Sequence, residues 1–234
     1  MFKKILSLVL SVGFCASALA DEDEVKKIME SKLGTKVESV TKAGYLGLYE
    51  VFADGTVFYT DEKVTAFIAQ GPLIDAVTMK NVTQERMKVL TGIKFSELPL
   101  EDAIKHVRGN GKRVIATFED PNCGYCKRLA KDLQKVDNLT VYVFLYPILS
   151  EDSLKKSKQI WCSSDRAKTW NDWMLNAKSP PENQSCDTSA IAKNQAFGRK
   201  LNITGTPTMF FANGERVPGY MSADKVEEKL KQIK

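Results

Sequence analysis

The β-branched run Arg113 to Phe118, "RVIATF", leads within five residues to the tetrad Cys123-Gly124-Tyr125-Cys126. Leu129, Ala130, Leu133 and Val136 then recur at helical spacing, and "LTVYVFLYPI" at 139–148 reads as a second buried strand. A strand, a helix and a strand at this spacing predict a right-handed crossover with parallel strands, so this half of the chain is an α/β unit. The arrangement puts Cys123 at the helix start and Cys126 one turn in. Free backbone N–H groups and the positive end of the helix dipole favour an anion at the first cysteine, hence a Cys123 thiolate. Cys126 is expected to be the more buried, facing the strands. A thiolate attacks disulfides, and a second sulfur one turn away closes on the mixed disulfide that results.

The competing use of a Cys-x-x-Cys, half of a zinc site, requires two more ligands. Cys162 and Cys186 satisfy the arithmetic but are widely separated rather than a second close pair, so redox chemistry is the preferred reading and no metal is expected. The single histidine, His106, is expected on a solvated helix position, and without a second one the Cys-His proteases and mixed zinc sites lose support. Cys162 and Cys186 each border helical pattern, with a polar, loop-rich segment between them. A bond joining them reads as structural.

Residues 1–20, "MFKKILSLVLSVGFCASALA", have two early lysines, an apolar centre too short to span a bilayer and Ala18-Leu19-Ala20 before an acidic start. They read as a signal peptide cleaved near Ala20. Retaining Cys15 as a lipid anchor is disfavoured by the bulky Phe14 before it. Loss of Lys3 and Lys4 lowers the formal charge from +5 to about +3, too mild a bias to argue for nucleic acid. Four cysteines remain, in a chain sent where disulfides persist.

Residues 21–80 read as a small α+β domain. Val25, Ile28 and Met29 share a helical face ending near Gly34, followed by the strand-like runs "KVESVTK", "YLGLYEVF" and "TVFYT" with an Asp54-Gly55 hairpin turn between the last two. A unit of this size buries only about 60% of its unfolded surface. Its apolar surplus, in "VTAFIAQGPLI" especially, is expected to be covered by a second copy of itself or by the rest of the chain. Residues 81–112 read as a helical linker, with Asn81 as a cap, Gln84 three residues on, and a second short helix carrying Pro99 in its first turn and His106 further along. Gly92, Pro99 and Gly109-Asn110-Gly111 argue against one continuous helix.

Residues 113–234 read as the larger domain. Its end, "NITGTPTMFFANGERVPGY", predicts a strand from about Thr208 to Phe211, an Asn213-Gly214 turn, a returning strand and a capped helix from Ser222. Pro207 gives no N–H to a neighbour, leaving the Thr206 backbone to grip an extended peptide.

"CGYC" after a strand, "TGTPT" some eighty residues later and the "NGERVPGY" hairpin resemble a thioredoxin-fold domain. With "YLGLYEVFADGTVFYTDEKVTAFIAQGPLID" and "IWC" followed by Cys186, the chain resembles the DsbC type of periplasmic disulfide isomerase over nearly all its length after residue 20. The resemblance implies an α+β N-terminal dimerisation domain and an α/β thioredoxin-like domain with a helical insertion. It further implies Cys123 as nucleophile, Cys126 as resolving cysteine, Gly124, Tyr125 and a cis Thr206-Pro207 pair as active-site loops, and a non-catalytic Cys162–Cys186 bond. Its partners are then misfolded disulfide-containing exported proteins, a DsbD-type membrane reductant and a second copy in a V-shaped homodimer through residues 21–80. No cofactor is implied. A monomeric thiol oxidase, a DsbG-like reductase of single oxidised cysteines and a thiol-independent holdase chaperone are the other functions compatible with these residues.

Overall fold

The computed structural model describes residues 17–182 and 185–233; most of the expected signal peptide, with Cys15, lies outside the described residues. The chain divides into two compact units, Met1–Met87 and Lys88–Lys234.

In the first unit, helix α1 (Ser17–Leu33) buries Val25 and Met29 completely and stops at Gly34, whose positive φ of 67° a side chain would resist. Strands β1 (Val37–Lys42), β2 (Tyr49–Ala53), β3 (Thr56–Thr60) and β4 (Phe67–Ala69) form an antiparallel sheet in that order. Val37, Val40, Tyr49, Val51, Ala53 and Val64 complete the core around α1. The hairpin turn at Asp54-Gly55 has positive φ at both positions, as a tight connection of two twisted strands requires. Helix α2 (Val82–Thr91) starts where Asn81 Oδ1 accepts from the Gln84 N–H at 2.9 Å. Its Arg86 forks onto the buried Glu50 carboxylate at 2.8 to 3.0 Å. An unpaired Glu50 would otherwise carry a desolvation cost of a few kcal/mol, about 1–3 or more for a charge.

The helical linker expected over 81–112 is a correction. After α2 only single 3-10 turns follow, at Phe95–Glu97 and Leu100–Asp102, and Ile104–Val107 is a strand, β5. His106 therefore lies on a strand and is half-buried, not on a solvated helix. Ile-Lys-His-Val is short enough to suit either state locally; antiparallel pairing with the free edge of β7 decides for the strand.

The second unit holds a five-stranded sheet in the order β5-β7-β6-β8-β9, with β6 Arg113–Glu119, β7 Leu139–Leu145, β8 Thr208–Phe211 and β9 Arg216–Pro218. β6 and β7 run parallel, Ile115 opposite Val141, on either side of helix α3 (Gly124–Leu133) in sequence. Helices α4 (Glu151–Trp161), α5 (Arg166–Asn176) and α6 (Ser189–Lys200) are inserted between β7 and β8, and α7 (Ala223–Gln232) closes the chain. One core lies between the sheet and α3, α5 and α7, with Leu129, Leu133, Val143, Trp170, Met209 and Val226 in it. The other is aromatic, with Phe118 stacked on Phe144 at 4.7 Å and meeting Tyr146 and Phe210 edge-on. α7 follows Ser222 as expected, but without a capping bond from its side chain.

Candidate active site

Cys123 is the N-cap of α3: its backbone is extended, and its Sγ lies 3.4 Å from the Cys126 N–H, one of the helix's orphan donors. The Thr206 carbonyl oxygen accepts from the Cys123 thiol at 3.3 Å. That carbonyl belongs to the peptide bond before Pro207, which is cis. The loop between α6 and β8 thus reaches the cysteine pair, bringing Thr206 and Pro207 beside Cys123. Gly124 is exposed, as is Tyr125, whose ring approaches that of Tyr220 at 6.3 Å.

The two thiols are polarised in opposite directions. Cys123 is lowered to about 5, first because the Cys126 thiol donates to its sulfur and then through the Thr206 side chain and the backbone N–H groups of Cys126 and Tyr125, against the opposing effect of burial. The helix start contributes, as the sequence suggested, but the neighbouring thiol contributes most. Cys126, fully buried, is pushed far up by desolvation, then by its bond to Cys123 and by the charges of Glu119 and Cys123. At neutral pH the first sulfur is a thiolate and the second a thiol.

Glu119, the last residue of β6, went unnoticed in the sequence. It is buried, accepts from Thr117 Oγ1 at 2.7 Å through one oxygen, and is raised to about 8 chiefly by burial, with the Cys123 charge adding to the rise. It sits against Cys126, the one neutral thiol that must lose a proton if the pair is to close. Asp120 was also missed. Its carboxylate is fully buried and accepts from the backbone of Asn122 at 2.8 Å, Ile148 at 2.8 Å and Leu149 at 3.0 Å, pinning the cysteine loop to the end of the β7 segment. The helical insertion holds the other side. Asn122 Nδ2 donates to Asp152 and Ser153, Trp173 Nε1 donates to the Pro121 carbonyl at 2.6 Å, and Lys127 lies 4.3 Å over the Trp173 ring.

Cys162, at the end of α4, is bonded to Cys186 ahead of α6, with Cα atoms 5.5 Å apart. Trp161 Nε1 donates to the Asp187 carbonyl beside it at 3.1 Å. Cys123 and Cys126 are the free cysteines of the described residues.

Residues 16–84 match the model of the disulfide bond isomerase protein N-terminal domain, and residues 100–234 that of a thioredoxin-like domain. A probable thiol:disulfide interchange protein DsbC of Bordetella parapertussis is 48% identical over 209 residues, covering 89% of this chain and 74% of the relative. The chain belongs to the DsbC family of thiol:disulfide interchange proteins. The DsbC of Escherichia coli is 30% identical over 235 residues, 98% of this chain and 96% of that protein. The crystal structure of a disulfide interchange protein from Neisseria gonorrhoeae superposes with a TM-score of 0.55 at 41% identity, covering 58% of this chain and 97% of that one. This chain combines a DsbC N-terminal domain with a thioredoxin-like domain and is a thiol:disulfide oxidoreductase.

Proposed function

We propose that this protein rearranges non-native disulfides in exported, misfolded proteins of the periplasm. The Cys123 thiolate attacks a wrong disulfide, its sulfur bonding to one substrate sulfur while the other leaves as a thiolate. A different substrate thiol then displaces Cys123 and leaves a new pairing. Cys126 is the resolving group: when the substrate stalls, it attacks Cys123, releases a reduced substrate and leaves the pair oxidised until a DsbD-type membrane reductant restores it. The observation that carries this reading is the opposite polarisation of the pair, a thiolate at the edge of the site and a buried thiol one turn behind it. Thr206 and Pro207, beside Cys123, are assigned to the substrate's backbone, Gly124 and Tyr125 to the rim it crosses, and the Cys162–Cys186 bond to holding the insertion together. The domains are assigned as residues 21–80 for dimerisation and 113–234 for catalysis.

A homodimer through residues 21–80 is supported by the first unit's open surface. All three residues of β4 are exposed at a sheet edge, and elsewhere in the same unit Leu46, Val77 and Met79 are at least three-quarters exposed. A second copy covers such an edge and sets two thiolates around one bound chain, raising the effective concentration of the second site. Deleting residues 21–80 tests this. The truncated protein should sediment as a monomer, still reduce a small disulfide, and isomerise a scrambled multi-disulfide protein poorly. A full-length monomer, or undiminished isomerisation after truncation, refutes the dimeric arrangement.

A further inference from the structure

Behind α3, a cavity of about 250 Å³ runs between that helix, α5 and the β5–β7 side of the sheet. Buried Glu119, Val143 and Trp170 line it, as do exposed Lys105, Asp165 and Lys168, so it connects the interior to the surface. Its volume holds several waters, since one requires only about 10–15 Å³. Three of its lining residues carry a buried polar atom without a protein partner: Glu119 Oε2, His106 Nε2 and Arg108 Nε. Orphaned buried groups of this kind are ordinarily satisfied by internal water. Their convergence on one polar, solvent-connected space marks it as a hydrated path that starts at the carboxyl beside Cys126.

Closure of the cysteine pair needs such a path. In the mixed disulfide Cys123 no longer carries the charge that adds to the rise of Glu119, so the carboxyl ionises more readily; in that ionised form it takes the proton of Cys126, whose sulfur attacks Cys123. A Cys123–Cys126 bond forms while the bond from Cys123 to the substrate sulfur breaks, the electron pair leaving on the substrate as a thiolate. The proton now rests on Glu119. The substrate covers the Cys123 face at that moment, whereas the cavity opens on the far side of α3.

We propose that this cavity conducts the proton from Glu119 to solvent and that His106, on β5, is its relaying and positioning residue. The proposal rests on Cys126 being the resolving cysteine. The titratable groups that line the cavity with His106 are Asp165 and Lys168 at the start of α5, Lys105 on its own strand, Arg108 just after that strand, and Glu119 from β6; of these Asp165 acts on the ring by its charge. Glu119 itself faces Cys123 and Cys126 from α3 and Thr117 on its own strand. Burial lowers His106 to about 4, so near neutral pH its ring is uncharged and presents one donor and one acceptor, as a relay requires.

The test uses the full chain in single turnover against a disulfide peptide, with acid quenching and alkylation to separate the mixed disulfide from the closed Cys123–Cys126 pair. His106→Phe should slow closure by roughly tenfold at pH 7, less than the about 10²–10⁴-fold usual for a group that itself takes the proton at the reacting atom, because Glu119 remains, and leave the rate of Cys123 alkylation unchanged. His106→Gln, which keeps a donor and an acceptor, should stay within about twofold of the native rate. Ala167→Leu narrows the cavity from α5 without touching β5, should also slow closure, and keeps the test open if the phenylalanine variant does not fold. Native closure rates in the folded variants, or a glutamine variant as slow as phenylalanine, overturn the relay. Cys126→Ser examines the underlying reading separately: it should arrest at the mixed disulfide, and failure to do so sinks the resolving role whatever His106 does.

Discussion

Replacing Cys126 by alanine removes the largest single influence on the Cys123 thiolate. Cys123 stands at about 5 against an ordinary thiol near 8.5, a difference worth roughly 5 kcal/mol between its two protonation states. A hydrogen bond to a charged group is worth about 1.5–3 kcal/mol, or one to two pH units, so the alanine variant should titrate near 6 to 7. The backbone N–H groups at the start of α3 and the Thr206 side chain hold the remainder. Alkylation rate against pH reads the midpoint directly. A depressed thiolate contributes stability that is fully present above the unfolded value of about 8.5 and is lost as pH falls toward 5. At pH 7 that contribution is about 3 kcal/mol for the reduced native protein and about 1 for the alanine variant. Urea unfolding of the reduced proteins should therefore show a flatter pH dependence between 5 and 8 in the variant. A midpoint that stays near 5 after the substitution would refute the reasoning and transfer the whole effect to the helix terminus.

Glu119→Gln should slow closure of the cysteine pair while stabilising the protein. A carboxyl raised to about 8 loses stability as pH climbs from about 4.5 to 8, so the gain in unfolding free energy must grow across that window, and a constant difference contradicts the assignment. Cys162→Ala with Cys186→Ala should cost about 3 kcal/mol in urea unfolding and leave Cys123 alkylation unchanged; loss of Cys123 reactivity in the folded double variant contradicts a purely structural bond. In Gly198→Ala the new methyl would sit 2.4 Å from the Tyr146 ring, whose hydroxyl donates to the Ile203 carbonyl, so thermal unfolding should report a loss of about 1–3 kcal/mol.

Local pattern sufficed wherever a segment's own residues specify both its conformation and its neighbour. The α1 face, the Asp54-Gly55 hairpin, the Asn81 cap and the β6-α3-β7 crossover were all legible, because apolar period, turn residues and short connections act within a few residues of one another. The placement of Cys123 ahead of a helix belongs here too, and with it the direction of its titration. β5 was not legible: four residues suited to either state became a strand because β7, more than thirty residues later, had an edge to pair. Glu119 and Asp120 look from the sequence like the polar end of a strand. Only the packing of α3 and the inserted helices over them removes water, raising one carboxyl to about 8 and turning the other into an anchor for the cysteine loop. Charge state in an interior is set by what surrounds a group in space. That is why the sequence alone could name the two sulfurs of this site, while only the tertiary structure revealed the carboxyl and the cavity behind them.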